Sequence, residues 1–515
     1  MTNAQAIRPP HRPLLIEGDR GVTLEELDAS ARAVASALSD LGVPAGGRVI
    51  VATPNRIEWF VVNRALGLIG ALQISMNARF TVGEVAATAQ RSRAATAIID
   101  MPHAADVVEA LRSAGVATPI TVDDERLPGV LHLGELLAHP TALEPTAEPV
   151  EGELVVYTSG TSGRPKGALR GTAHVPADLF AEYVRSTQEY AGPRTDPVAE
   201  RCVMVSMPLS HASGPKQVLE ALAAGIPVVL QRRFDARQAL ELIDRHRVTD
   251  WHVVPVMLHR MLRLADELGP VYDLSSIRRL TVGGAPVPAR LVAEVAEYLG
   301  PDVLTSGYGS TETGMVTGIS PQELRERPTS CGRPFAHVAV EIRSDGGRQP
   351  LPAGTEGEIW VKTPRIIRGY LDEGPLGPEV LDARGFFRTG DLGSVDAEGY
   401  LYITGRRVDM IISGGVNVYP AEIEACLRQH PAVGDAVVVG VPDEEMGEVP
   451  VAFVELNPGA SAGEDELLDF CRSGLARFKR PRRLTILDEL PRNAVGKVTK
   501  AGLPAIARTT NEAAR

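Results

Sequence analysis

The chain has 515 residues, 44% hydrophobic and 23% charged, with a formal net charge of -12. That length suits about two to four domains with sizeable cores. The acidic balance argues against a nucleic-acid binder, which needs positive charge to face phosphate. Cys202, Cys331, Cys426 and Cys471 lie far apart with no CxxC pair, which disfavours a zinc site or a disulfide framework and suits a reducing cytoplasm.

In chain order, the opening "MTNAQAIRPPHRP" lacks the basic-then-apolar order of a secretory signal. A first helix is predicted in "TLEELDASARAVASALSDLG". Thr23 and Glu26 stand at capping-box spacing there, and Leu27, Ala31, Val34, Leu38 and Leu41 share one face before Gly42 as C-cap. The strand "RVIVAT" follows. Asn63 and Arg64 interrupt the apolar run "FVVNRALGLIGAL", so no membrane span is expected.

The run "ELVV" then leads into "YTSGTSGRPKG", residues 157–167. Closely spaced N–H groups and hydroxyls beside a strand can surround an anion, which makes this segment a candidate phosphate loop. It is not a Walker A loop, because Pro165, Lys166 and Gly167 stand where Gly-Lys-Ser/Thr is required, and it has no GxGxxG spacing. A second helix–strand unit reads "FDARQALELIDRHRVT" then "DWHVVP", with Asp235 as N-cap and Gln238 three residues on. Alternating helices and strands predict an α/β architecture with largely parallel sheets.

After about residue 330, "VEIRSDGGRQPLPAGTEGEIWVK" predicts a small β-rich subdomain of short strands and turns. Beyond Arg406, "AEIEACLRQH", "DAVVVGV" and "VAFVEL" predict a compact α+β unit. The expected division is a large domain over 1–407 and a small mobile C-terminal domain over 408–515. The chain closes on "TTNEAAR", which is no peroxisomal tripeptide, so a cytoplasmic location is expected.

Five separated stretches agree on chemistry: "YTSGTSGRPKG", "GYGSTETG" (307–314), "FFRTGDLG" (386–393), "GRRVDMIISGGVNVYPAEIE" (405–424) and "PRNAVGKV" (491–498). With "MPLSHASG" (207–214) and "GGAPVP" (283–288), they resemble, in order, the acyl-adenylate-forming, AMP-binding superfamily. The resemblance is greatest to the carboxylic acid:CoA ligases. It implies adenylation of an acid by ATP with Mg²⁺, release of pyrophosphate, and transfer of the acyl group to coenzyme A.

The resemblance also implies site residues. Thr158, Ser159, Gly160, Thr161, Ser162 and Lys166 would belong to the loop around the β- and γ-phosphates. Gly284, Ala285 and Pro286, with Ser306, Gly307, Tyr308 and Gly309, would form the adenine pocket, with Tyr308 stacked on the base. Thr311 would touch the α-phosphate and Glu312 would hold Mg²⁺, a hard cation that prefers oxygen. Asp391 would accept the ribose hydroxyls, Arg406 would reach ribose and phosphate, and Lys497 would bridge α-phosphate and carboxylate during adenylation. His211 would wall or gate the acyl pocket.

Three features bear on substrate and acceptor. "HASGPKQ" offers no aspartate for an amino group, and the chain runs only 18 residues past Lys497, so neither an amino acid substrate nor a fused carrier domain is expected. Lys216 and Gln217 stand where comparable ligases continue with an apolar helix. They read either as a solvated face or as a polar group in the pocket. Val408 stands where such enzymes usually carry Asp or Lys as the hinge of the small domain. Val408 and Lys216 leave room for an amide-forming ligase, or for a diazotase that adenylates nitrite for an aryl amine. The run "CRSGLARFKRPRRL" offers Arg472, Arg477, Lys479, Arg480, Arg482 and Arg483 to the phosphates of coenzyme A. A catalytically silent AMP-binding protein is the third reading, and Lys497, Glu312 and Asp391 speak against it.

Overall fold

The structure, a computed structural model, describes residues 13–122, 126–140, 153–158, 166–170, 175–192, 196–344, 349–413, 416–443, 446–475, 479–493 and 496–512. The first helix forms at Leu24–Asp40 as its capping box dictates. Glu26 N donates to Thr23 Oγ1 at 3.2 Å, and Thr23 N donates back to Glu26 Oε2 at 2.8 Å. Leu41 departs from the expected apolar face. It caps the helix and is 41% exposed, because Gly42 turns the chain away at φ +84°. Asp235 accepts from Gln238 N at 2.8 Å and starts the helix Ala236–His246, which feeds the strand Asp250–Val253.

Two large sheets dominate the described residues. In one, Leu15–Glu17, Val228–Leu230, Val203–Val205, Asp250–Val253, Arg279–Val282 and Leu304–Ser310 run parallel, with antiparallel strands at both edges. In the other, Thr118–Thr121, Thr96–Ile99, Arg48–Ala52, Leu72–Ser75 and Glu153–Thr158 run parallel, and Lys166–Arg170 returns antiparallel beside Glu153–Thr158. Helices cover these sheets, so their strands are buried apolar runs rather than alternating ones. The expected β-rich subdomain is a four-stranded antiparallel sheet of Ala339–Arg343, Gly357–Lys362, Phe387–Val395 and Leu401–Arg406.

The C-terminal unit is α+β. Its sheet is built on the long hairpin Val433–Asp443 and Gly447–Leu456, with Arg483–Leu487 joining in parallel and the short hairpin Ile411–Ser413, Val416–Val418 at one side. Helices Pro420–Leu427 and Glu464–Gly474 close its core, which draws on Ile411, Ile423, Leu427, Val438, Val454 and Leu467. Between it and the β-rich sheet lies only a short 3₁₀ turn, Arg407–Asp409. Among the described residues, no helix is long and apolar enough to cross a membrane.

Candidate active site

Four parallel strands of the first sheet end at one cavity of about 2580 Å³. His211 follows Val203–Val205, Val254 follows Asp250–Val253, Gly284 follows Arg279–Val282, and Thr311 and Glu312 follow Leu304–Ser310. Carboxyl ends of parallel strands are where such sheets leave room for ligands. The glycines of "GYGSTETG" also have a steric reason. A Cβ on Gly309 would lie 2.2 Å from Gly314 O across the hairpin turn.

Asp391 and Arg406 face each other in the β-rich sheet, and Arg406 Nε donates to Asp391 Oδ1 at 3.0 Å. Burial opposes the Arg406 charge, but Asp391 and Asp409 more than offset it and raise its pKa. Tyr308, expected in the adenine pocket, is not among the residues that line the cavity. Its side chain is 8% exposed, packs with Val316, Ile359 and Leu401, and donates its hydroxyl to Asp391 Oδ2 at 2.5 Å. Burial and the Asp391 charge hold that phenol well above its ordinary pKa. Tyr308 therefore holds Asp391 on one carboxylate oxygen.

From the C-terminal unit, Lys497 enters the same cavity, and its Cε lies 3.6 Å from where a Cβ on Gly284 would sit. Its turn is closed by Asn493, which accepts from Lys497 N at 3.0 Å and donates its own N–H to Lys497 O at 2.8 Å. Gly496 is required beside it. It has φ +79°, and a Cβ there would come within 3.0 Å of Val256 Cγ1. Burial, then Arg406, pull the Lys497 pKa down, against the pull of Asp391.

Thr311 and Glu312 line the cavity side by side. Burial and the Glu312 charge raise the pKa of the Tyr370 phenol, which hydrogen bonds Glu312. Lys166 lines the cavity too, but its charge already has a partner. It donates to Glu373 Oε2 at 2.6 Å and lies 5.0 Å above the Tyr370 ring. Among the described residues no group of three or more His, Cys, Asp or Glu is placed to hold a metal. A lone carboxylate at this wall fits Mg²⁺, which keeps few protein ligands and takes the rest from phosphate and water.

At the other end, His211 precedes the helix Ser213–Ala223, and burial plus Lys497 lower its pKa to about 4. Lys216 lies on that helix, faces the cavity, and pairs with Glu220 at 2.8 Å. His252 lies deeper, and burial plus Lys216 lower its pKa to about 4. Gln217 also lines the cavity, with its Nε2 buried and unbonded among the described residues. The helix face is therefore a polar pocket wall, not a solvated surface.

Of the remaining expected residues, Gly307 lines the cavity, Ser306 is buried behind the wall, and Ala285 and Pro286 are exposed outside it. Thr158 ends the strand Glu153–Thr158, whereas Ser159, Gly160, Thr161 and Ser162 lie outside the described residues. The basic run is largely committed within its own unit: Lys479 pairs with Glu422 at 2.6 Å, Arg480 bonds the carbonyls of Leu475 and Arg472, and Arg472 pairs with Asp469. Arg477 lies outside the described residues. Sequence reasoning missed Arg170, Tyr370 and His252. Arg170 was the findable one, since it is four residues past Lys166 and strand alternation puts both on one face.

A large α/β domain with a small α+β C-terminal unit is a fold shared with solved structures of adenylate-forming enzymes. The chain belongs to the AMP-binding enzyme family: the model of the AMP-binding enzyme matches residues 2–371 and that of its C-terminal domain residues 422–497. It is similar to the 2-succinylbenzoate–CoA ligase of Geobacillus kaustophilus, 35% identical over 99% of this chain and 98% of that one. It is also similar to a methyl-dioxo-octahydroindenyl-propanoyl:CoA ligase of Mycobacterium tuberculosis, 34% identical over 96% of each. Among solved structures, the o-succinylbenzoate CoA synthetase of Bacillus subtilis with its acyl-adenylate superposes with a TM-score of 0.76, at 30% identity over 96% of each chain. The amide bond synthetase of Marinactinospora thermotolerans superposes with a TM-score of 0.82, at 30% identity over 96% of this chain and 97% of that one.

Proposed function

We propose that the chain is an ATP-dependent acid:CoA ligase that adenylates a carboxylic acid, releases pyrophosphate, and then passes the acyl group to coenzyme A. The observation that carries this reading is Lys497 lying against Gly284 in the cavity that Asp391, Arg406 and His211 line. CoA ligases recur among its relatives, which supports coenzyme A as acceptor.

A carboxylate resists attack because oxide is a poor leaving group, and joining it to AMP replaces that group with a good one. Two anions must first be brought together, so positioning and charge stabilisation dominate the problem. In this reading Asp391 takes the ribose hydroxyls, held on one oxygen by Tyr308 and on the other by Arg406. Lys497 sets its ammonium between the α-phosphate and the acid. Thr311 contacts the α-phosphate, and Glu312 would hold Mg²⁺, whose charge offsets that of the triphosphate when bound. His211, neutral at physiological pH, walls the acid's approach without adding charge.

The second half-reaction needs Lys497 withdrawn, and we place the domain boundary and pivot at 407/408, within the turn Arg407–Asp409. Lys216, Gln217, Glu220 and His252 favour an acid with a polar group away from its reacting carboxyl. The test is acid-dependent ATP–pyrophosphate exchange across an acid panel, followed by AMP release with and without coenzyme A. Exchange with amine-dependent and CoA-independent AMP release would transfer the chain to the amide-forming reading, and exchange driven by nitrite would transfer it to the diazotase.

A further inference from the structure

Arg170 ends the strand Lys166–Arg170, which leaves the expected phosphate loop. Backbone bonds carry that strand to Glu312: Arg368 N donates to Leu169 O at 3.1 Å, and Ile367 N donates to Glu312 O at 2.9 Å. Two adjacent residues thus stitch the end of this strand to the backbone of Glu312, and Arg170 and Glu312 both line the cavity. Lys166, at the strand's other end, has its charge answered by Glu373.

Arg170 is different. Among the described residues it makes no ion pair, and its charged neighbours are Glu312 and a second guanidinium, Arg365. Burial and Arg365 lower its pKa to about 10, so it stays charged at neutral pH. Arg365 likewise makes no ion pair among the described residues and lies 5.3 Å over the Phe180 ring. Nearby, Tyr183 has committed its hydroxyl to Met315 O at 2.8 Å. Arg170 on the cavity wall, with a second guanidinium as a neighbour and no ion pair of its own among the described residues, marks a place for an anion from outside.

We propose that Arg170, backed by Arg365, binds the β- and γ-phosphates of ATP and the pyrophosphate that leaves. The proposal rests on the adenylation reading. In that step the acid's oxygen bonds to the α-phosphorus, the bond from α-phosphorus to the bridging oxygen breaks, and the electron pair departs on pyrophosphate. A guanidinium fork meets that growing charge with two donors. Glu312 is its acidic neighbour, and Asp391 already pairs with Arg406, so Arg170 suits the leaving end rather than AMP.

The test uses the full chain with Arg170→Met and Arg170→Lys, titrated calorimetrically with magnesium pyrophosphate and with AMP, alongside KM values for ATP and acid. The expected result is magnesium pyrophosphate affinity about 10- to 100-fold weaker in Arg170→Met, with AMP affinity and the acid's KM unchanged. Arg170→Lys should fall between, since a point charge replaces the fork. Unchanged pyrophosphate affinity overturns the proposal, as does a rise in the acid's KM alone, which would give Arg170 to the acid instead. If Arg170→Met also loses AMP binding, Arg170→Lys decides: weakened pyrophosphate with parent-like AMP affinity supports the role, and parent-like affinity for both removes it. Failure of every acid in the exchange assay would defeat the adenylation reading, while the pyrophosphate titration would still judge Arg170.

Discussion

Tyr308 and Asp391 are joined at 2.5 Å, hydroxyl to carboxylate, although 83 residues separate them in sequence. The bond ties the hairpin of "GYGSTETG" to the sheet of "FFRTGDLG", so two motifs legible separately form one device. Tyr308→Phe keeps the ring in its apolar setting and removes only the donor. AMP affinity should fall about 5- to 10-fold, the worth of about 1–1.5 kcal/mol for one hydrogen bond. Calorimetric titration with AMP checks this, and an unchanged affinity would remove the holding role.

Lys497→Ala should lower adenylation on the order of 10²–10³-fold, the usual loss for one charge-stabilising contact in a transition state. Thioester formation from supplied acyl-adenylate should stay near the parent rate, because Lys497 serves only the arrangement in which it lies against Gly284. Separate single-turnover assays of the two steps provide the check. Equal losses in both would sink the assignment.

Val408→Pro should spare adenylation and arrest the second step. Proline fixes φ, and a pivot in the turn Arg407–Asp409 must change its backbone angles. Acyl-adenylate should then accumulate in a quenched single-turnover experiment with coenzyme A present. Parent-like turnover of both steps would move the pivot elsewhere.

His211 and His252 each have a folded pKa of about 4, against an ordinary 6.5, because burial disfavours their charge. Between those values the unfolded chain binds more protons than the folded one, so stability falls as pH drops from about 6.5 to 4 and is level above. His252→Asn should therefore lose less stability between pH 7 and 5 than the parent does. Calorimetric melting at both pH values gives the comparison, and an equal loss would contradict a neutral buried His252.

Much of this was legible in the sequence, for definite reasons. The helix Leu24–Asp40 was readable because its cap and its face are local, and Asp391, Glu312 and Lys497, which line one cavity, could be singled out because their motifs come as strings. Leu41 was misread because heptad-like spacing does not reveal where a glycine turns the chain. The bond from Tyr308 to Asp391 was not legible because its partner lies in another sheet, and no local pattern records a cross-sheet hydrogen bond. Lys216 remained ambiguous until its helix could be seen facing the cavity. Arg170 was within reach, since strand alternation puts it on the face of Lys166, but its lack of an ion-pair partner is visible only in the fold.

The apolar core of the C-terminal unit takes all its members from Ile411 onward, and none from the residues that pack the two large sheets. A core that is closed within a continuous stretch of chain can form without waiting for any other part. During synthesis the large domain can complete its own packing while the last hundred or so residues have yet to emerge, since domains generally fold as units from the N-terminus. The lysine-bearing turn at 496–497 is among the last segments to emerge, so the newborn large domain has its cavity walls built before Lys497 exists to enter them. Heat should expose the same independence as two separate transitions, and a single melting temperature would then describe neither unit.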